Sequence, residues 1–267
     1  MSLPFAIEQL CQLTREAGLI ALPWWRRDPD VITKADDSPV TAADLAANRH
    51  IVSGLTALTP DIPILSEEGA EVPYGERRHW DRFWLVDPLD GTKEFIAGTD
   101  EFTVNIALIE HGQVRFGAVG VPARDQLYWG GAGLGAWRQT GRQPAEPIHS
   151  RSPASPLCVV ASRRHSSPDQ EALLDRLKGR HDIELTAVGS SLKFCVLAEG
   201  GADLYPRFAP TSQWDTAAAQ AVLEGAGGQV LRLDGRRFDY PQRNDWLNPY
   251  FLAVGKADGA LRDLLLS

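Results

Sequence analysis

The 267-residue chain has too few cysteines, and in the wrong places, for a disulfide framework or a zinc centre. Cys11, Cys158 and Cys195 are far apart, odd in number and without CxxC spacing, which points to reduced core thiols in a cytoplasmic protein. No apolar run reaches the roughly 20 residues of a membrane helix, so no integral membrane segment is expected. Met1 to Glu8 has no basic stretch ahead of its apolar residues, so a signal peptide is not expected either. Positive charge is in deficit: the formal net charge of −8 argues against a nucleic-acid polymer as partner. Nucleotide-loop signatures are missing too. GxxxxGK[ST] does not occur, and Gly131-x-Gly133-x-Gly135 has the wrong spacing for a dinucleotide fingerprint. The tryptophans come without a basic groove and read as core and interface residues rather than a stacking platform.

What remains is an ordinary globular composition, 43% hydrophobic and 23% charged, with length for one domain or two modest lobes. Helical spacing of apolar residues runs from about Ile7 to Leu22, and a second helix opens at Thr41-Ala42-Ala43-Asp44 and runs to about Leu58. Ile62 to Leu65 and Phe83 to Val86 read as buried strands. Thr103 to Glu110 and Gln113 to Val121 flank His111-Gly112 as a hairpin, and a second hairpin is placed at Gly130 to Gly133. The aperiodic stretch from Thr140 to Pro156 is taken as a boundary, dividing the chain into residues 1–150 and 151–267. Beyond it, strands from Leu157, Ile183 and Asp203 alternate with helices from Pro168, Ser190 and Trp214; strands near Gln229 and Phe251 and a closing helix follow. The expected fold class is α/β overall: an α+β first lobe with helices on a largely antiparallel sheet, and an α/β second lobe.

The chemistry-bearing segment is Trp84 to Phe95. A buried strand delivers Asp87 to its carboxyl end, Pro88 forbids continuation of the ladder, and Asp90 returns at a turn that Gly91 permits. Two carboxylates so close raise each other's pKa unless a cation lies between them. Hard oxygen donors with a backbone carbonyl such as that of Leu89 suit Mg²⁺. The bland alternative is an Asp-Gly turn with a solvated aspartate. Glu67 ends a second apolar strand, where a sheet neighbour of Asp87 would sit, while Glu68 reads as a charged loop cap. Thr41-x-x-Asp44 and Ser212-x-x-Asp215 fit capping boxes, and as isolated features both are caps more often than catalysts. Spacing alone leaves the metal site unproven.

Taken together, the segments resemble the inositol monophosphatase superfamily of lithium-sensitive, magnesium-dependent phosphatases. Asp87-Pro88-x-Asp90-Gly91-Thr92-x-x-Phe95 is similar to its first signature, and Trp214-Asp215-x-Ala217-Ala218 with Gly225-Ala226-Gly227-Gly228 to its second. Ser38-Pro39-Val40-Thr41-x-Ala43-Asp44, Gly189 to Phe194 and Leu204 to Phe208 extend the likeness over nearly the whole chain. These three look most like the bacterial CysQ branch, the 3′(2′),5′-bisphosphate nucleotidases. The resemblance implies a layered αβαβα sugar-phosphatase-like fold and two or three Mg²⁺ ions. Glu67, Asp87 and the Leu89 carbonyl would hold one; Asp87, Asp90 and Asp215 a second; a third would share Glu67. Such ions acidify water and stabilise the oxygens of an in-line displacement. Thr92, oriented by Asp44, would help Glu67 activate the water, and the Gly91 and Thr92 amides would hold the phosphate.

By the same resemblance the nucleoside lies near Ser162, His165, Gly189 and Lys193, with Lys193 and Arg207 suited to the phosphate that is not removed. The plainer alternative leaves Lys193 exposed on its helix and His165 in an ordinary polar loop. The implied reaction converts adenosine 3′,5′-bisphosphate to AMP and phosphate, and extends to conversion of PAPS to APS. The protein would be a cytoplasmic monomer or homodimer of sulfur metabolism; some relatives lie peripherally on the inner membrane, but no anchor is visible here. Inositol monophosphatase or sugar bisphosphatase activity is the alternative within the superfamily, and a non-catalytic nucleotide or metal sensor the alternative outside it. An aspartyl-phosphate mechanism is disfavoured, because Asp87 and Asp90 have two residues between them instead of one.

Overall fold

Helix α1 (Ile7–Ala21) buries Leu10, Leu13, Thr14, Ala17, Gly18 and Ala21, the stripe that its apolar period dictates. The computed structural model describes residues 3–27, 31–33, 39–69, 72–161 and 167–267. A short ribbon of β1 (Val31–Thr33) and β2 (Pro39–Thr41) leads into α2 (Ala42–Leu58), whose capping box is present: the Ala43 N–H donates to the Thr41 hydroxyl, and the Thr41 N–H to Asp44. Then come β3 (Ile64–Ser66), α3 (Tyr74–Arg77), β4 (Arg82–Asp90), α4 (Thr92–Ile96), β5 (Thr103–Glu110), β6 (Gln113–Val121), β7 (Gln126–Gly131), β8 (Gly135–Thr140) and β9 (Glu146–Pro147). These strands form a seven-stranded sheet in the order β3-β4-β5-β6-β7-β8-β9. It is antiparallel throughout except that β3 runs parallel to β4.

The rest of the chain supplies β10 (Leu157–Ala161), α5 (Pro168–Lys178), β11 (Ile183–Ala187), α6 (Leu192–Ala198), β12 (Leu204–Arg207), α7 (Ala217–Gly225), β13 (Gln229–Arg232), β14 (Phe251–Val254) and α8 (Gly259–Leu266). The second sheet has the order β11-β10-β12-β14-β13 and is mixed, with β10 parallel to β11 and β12 while β14 opposes both its neighbours.

Alternation along β4 makes the layering. Phe83 and Leu85 face a core shared with α6, α7 and the second sheet, while Trp84 and Val86 face α1 and α2. The outer face of the second sheet is covered by α5 and α8. The order of layers is therefore helices, sheet, helices, sheet, helices, in agreement with the αβαβα expectation. Contact between α7 and the first sheet is very close: a Cβ on Gly117 would lie 2.2 Å from the Ala218 carbonyl oxygen.

Three local expectations need correction. Pro88 does not end the strand; β4 continues to Asp90, and the missing donor is absorbed by a register shift between Asp87 and Asp90. The helix expected from Trp214 begins at Ala217, after a 3₁₀ turn over Gln213–Asp215 that keeps the Ser212 and Asp215 cap. The hairpin turn expected at Gly130 to Gly133 lies later, because both Gly130 and Gly131 belong to β7.

Candidate active site

The carboxylates converge through sheet register. Parallel pairing of β3 with β4 sets Ser66 opposite Val86, and the Glu67 N–H donates to the Val86 carbonyl at 3.1 Å, so Glu67 leaves its strand beside Asp87. Across the bulge Asp90 is turned toward the second half of the chain, where the Ser191 N–H donates to its carboxylate. Asp215 arrives on the 3₁₀ turn ahead of α7, and its carboxylate accepts from the Ser212 N–H at 2.8 Å.

Their charges are mutually felt. Burial raises the Asp87 carboxyl well above the usual range, and the charges of Glu67, Asp90 and Asp215 push it further, against the Leu89 N–H. Burial likewise raises Asp215 strongly, followed by Asp90 and Glu67. Asp90 is raised to about 6 by burial, held down by the Lys193 charge and the Ser191 N–H and pushed up by Glu94. Acids arranged in this way favour a bound cation or a retained proton.

Among the described residues, no three acids, histidines or cysteines stand close enough to form a ready-made metal cage. Backbone N–H groups of Leu89, Ser191 and Ser212 each take an oxygen of Asp87, Asp90 and Asp215, respectively. An ionised carboxylate has about four lone-pair directions, so each can also serve a cation. All-oxygen donors of concentrated negative charge fit Mg²⁺, which keeps several of its waters.

Gly91, with φ of 86°, makes the left-handed turn that starts α4 at Thr92. The Thr92 hydroxyl donates to the Leu89 carbonyl at 3.4 Å. Asp44 is buried, and one oxygen accepts both the N–H and the hydroxyl of Thr41. Burial raises its pKa against those bonds, with Glu68 adding to the rise.

Beside the acids opens a cavity of about 170 Å³ whose lining includes Asp90, Gly91, Gly189, Lys193, Arg207 and Asp215. Lys193 is not an exposed helix residue: it is 6% accessible, and its ammonium donates to the Ser190 carbonyl at 2.8 Å and the Val188 carbonyl at 3.2 Å. Burial pushes it down to about 8, opposed by the Asp90 charge and reinforced by Arg207. Arg207 donates to the Pro210 carbonyl, while its buried Nε has no hydrogen-bond partner in the protein. Ser162 and His165 lie outside the described residues.

A sequence profile of the inositol monophosphatase family matches residues 5–255. The chain belongs to the inositol monophosphatase family. It is 49% identical, over 92% of its length and 98% of the relative's, to the 3′(2′),5′-bisphosphate nucleotidase CysQ of Escherichia coli O6:H1. It is 48% identical to CysQ of Salmonella typhimurium, again over 92% of this chain and 98% of that one. Among solved structures it is similar to CysQ of Bacteroides thetaiotaomicron, with a TM-score of 0.82 at 38% identity, covering 94% of this chain and 97% of the other.

Several residues of this inositol monophosphatase family site escaped the sequence reading. Ser191 joins Asp90 to a buried hydroxyl and amide cluster with Thr103 and Asn105 on β5. Glu101 accepts the Gly189 N–H, and the Asn248 side chain donates to the Ser212 carbonyl and the Thr216 hydroxyl in the turn carrying Asp215. Polar residues isolated between strands carry no periodic signal, and only long-range pairing reveals their partners.

Proposed function

We propose that the chain is a 3′(2′),5′-bisphosphate nucleotidase that hydrolyses adenosine 3′,5′-bisphosphate to AMP and phosphate, with PAPS as a second substrate. The observation that carries the reading is the juxtaposition of Asp87 and Asp215, each raised by the charges of Asp90 and Glu67, with a cavity containing a buried lysine and an arginine with an unpartnered Nε. Acids alone serve any phosphatase of the family; two cations walling the neighbouring cavity suit a substrate with a second phosphate. Identity of 49% with a curated nucleotidase over almost the full length supports it.

Glu67, Asp87, Asp90, Asp215 and the Leu89 carbonyl would hold Mg²⁺, as two or three ions. When bound, it supplies positive charge at the transferring phosphate and lowers the pKa of water. Glu67, half-buried at a strand end, would accept the proton of the attacking water with help from the Thr92 hydroxyl, which Asp44 would orient by the family resemblance. Gly91 and Thr92 present backbone N–H groups to the departing phosphate. Lys193 and Arg207 hold the phosphate that stays, Gly189 forms part of the cavity wall beside them, and by the family resemblance Ser162 and His165 contribute to the nucleoside end. Residues 1–150 would be the lobe that carries most of the metal ligands, and 151–267 the lobe that carries Asp215 and the nucleotide-binding residues. No helix among the described residues is long and apolar enough to cross a membrane, which fits the cytoplasmic placement proposed for it.

Phosphate release from adenosine 3′,5′-bisphosphate and from inositol 1-phosphate, measured in Mg²⁺ and again with Li⁺, tests the reading. The bisphosphate is expected to show the higher kcat/KM, with activity lost on chelation and reduced by Li⁺. Preference for inositol 1-phosphate would move the chain to the monophosphatase branch. Tight nucleotide binding without release would make it a sensor.

A further inference from the structure

Glu101 stands just ahead of β5 and is 7% accessible, an uncommon place for a carboxylate without a task. Its Oε2 accepts the Gly189 N–H at 2.7 Å, and its Oε1 lies 3.7 Å from Arg124, whose guanidinium also grips Asp100 through two bonds of 3.0 and 3.2 Å. Gly189 begins the tight turn ahead of α6. The next residue, Ser190, has φ of 46°, a left-handed conformation that side chains other than glycine, asparagine and aspartate adopt reluctantly. Space at Gly189 is fully used: a Cβ there would fall 2.7 Å from Glu94 Cγ and 3.1 Å from Glu101 Oε2.

The turn so held performs three separate jobs at the cavity. Carbonyls of Val188 and Ser190 hold the Lys193 ammonium, the Ser191 N–H holds Asp90, and Val188 to Ser191 form one wall. Glu101 thus holds the Gly189 end of the strained turn that aims Lys193, while Asp90 holds its Ser191 end. We infer that Glu101 is a positioning residue for the nucleotide end of the cavity, acting through the Gly189 N–H rather than by touching substrate. The inference rests on the nucleotidase reading for its substrate, while the clamp itself can be observed without one.

Two variants and an amide-exchange measurement test it. Glu101→Ala removes the acceptor, whereas Glu101→Gln keeps an amide oxygen in its place. With adenosine 3′,5′-bisphosphate, Glu101→Ala should raise KM roughly tenfold with kcat within about twofold, the size expected for losing a charge-assisted hydrogen bond. Glu101→Gln should recover most of that loss. The Gly189 amide should exchange slowly in the wild-type protein and in Glu101→Gln, and rapidly in Glu101→Ala. A fall in kcat at unchanged KM, or equal Gly189 protection in wild type and Glu101→Ala, overturns the inference. If Glu101→Ala does not fold, the wild-type protein still decides: Gly189 exchange as fast as that of exposed loop amides overturns it. Loss of Gly189 protection in Glu101→Ala, in a protein that never cleaves the bisphosphate, would sustain the clamp and reject the nucleotidase reading instead.

Discussion

Ser191 and Asp90 are 101 positions apart, yet the backbone N–H of one donates directly to the carboxylate of the other. This bond ties the bulged end of β4 to the start of α6, and so connects the group of acids to the cavity with its buried lysine. What happens to Asp90 should accordingly be felt on both sides.

Asp90→Asn removes a charge and keeps an oxygen that the Ser191 N–H can reach. Turnover with Mg²⁺ is expected to fall by at least about a hundredfold, since even outer-shell partners of metal ligands carry 10- to 100-fold effects. The thermal midpoint should hold or rise, because a raised carboxyl is uncomfortable when ionised. Phosphate release and a melting curve check both halves; an active variant rejects the metal role.

Lys193→Ala should raise KM for adenosine 3′,5′-bisphosphate by about tenfold or more and change KM for a monophosphate far less, because only the former has a second phosphate to lose. Comparing the two KM values decides it. Equal effects would remove Lys193 from substrate choice.

The acid cluster gives a pH dependence of defined sign. Asp90 in the folded protein titrates at about 6 against 3.8 for a free side chain, and Asp87 and Asp215 are raised as well. Between those values these acids bind more protons in the folded state than in the unfolded, so their contribution to the stability of the metal-free protein falls as pH rises from about 4 through 6. Deprotonated acids are what Mg²⁺ requires, so its stabilising effect should grow over the same interval. Urea midpoints with EDTA and with Mg²⁺, taken from pH 4.5 to 7.5, measure this; parallel curves would contradict it.

Gly117→Ala tests the layering, because the added methyl would meet the Ala218 carbonyl at 2.2 Å where α7 rests on β6. Overpacking there should cost about 3 kcal/mol. Gly75→Ala, on an open helical site with nothing within 4 Å, should be neutral or slightly stabilising. Denaturant titration of the pair distinguishes a specific close contact from a general intolerance of alanine.

Much of this protein could be read along the chain, since the relevant forces are short-ranged. Apolar spacing located α1, α2 and α5; His111 and Gly112, with φ of 50° and 72°, turned the β5–β6 hairpin where expected. Capping boxes at Thr41 and Ser212, and acids at strand ends, were visible because turn chemistry involves neighbours three residues apart. The same locality misled at Pro88, where β4 runs on past its last pair with β3 and accommodates a bulge against β5, and at Trp214, where the cap belonged to a 3₁₀ turn.

Other features depended on strand order and register, which local periodicity does not encode. Glu67 reaches Asp87 only because β3 runs parallel to β4, and Asp215 joins them only because α7 packs on the first sheet. Lys193 is buried, not exposed, because the turn before α6 folds its carbonyls over the ammonium. Residue types and spacing thus made the chemistry available, while burial and long-range pairing selected which charges face one another. Those interactions act through space, between positions a hundred residues apart, and exist only once both sheets are assembled.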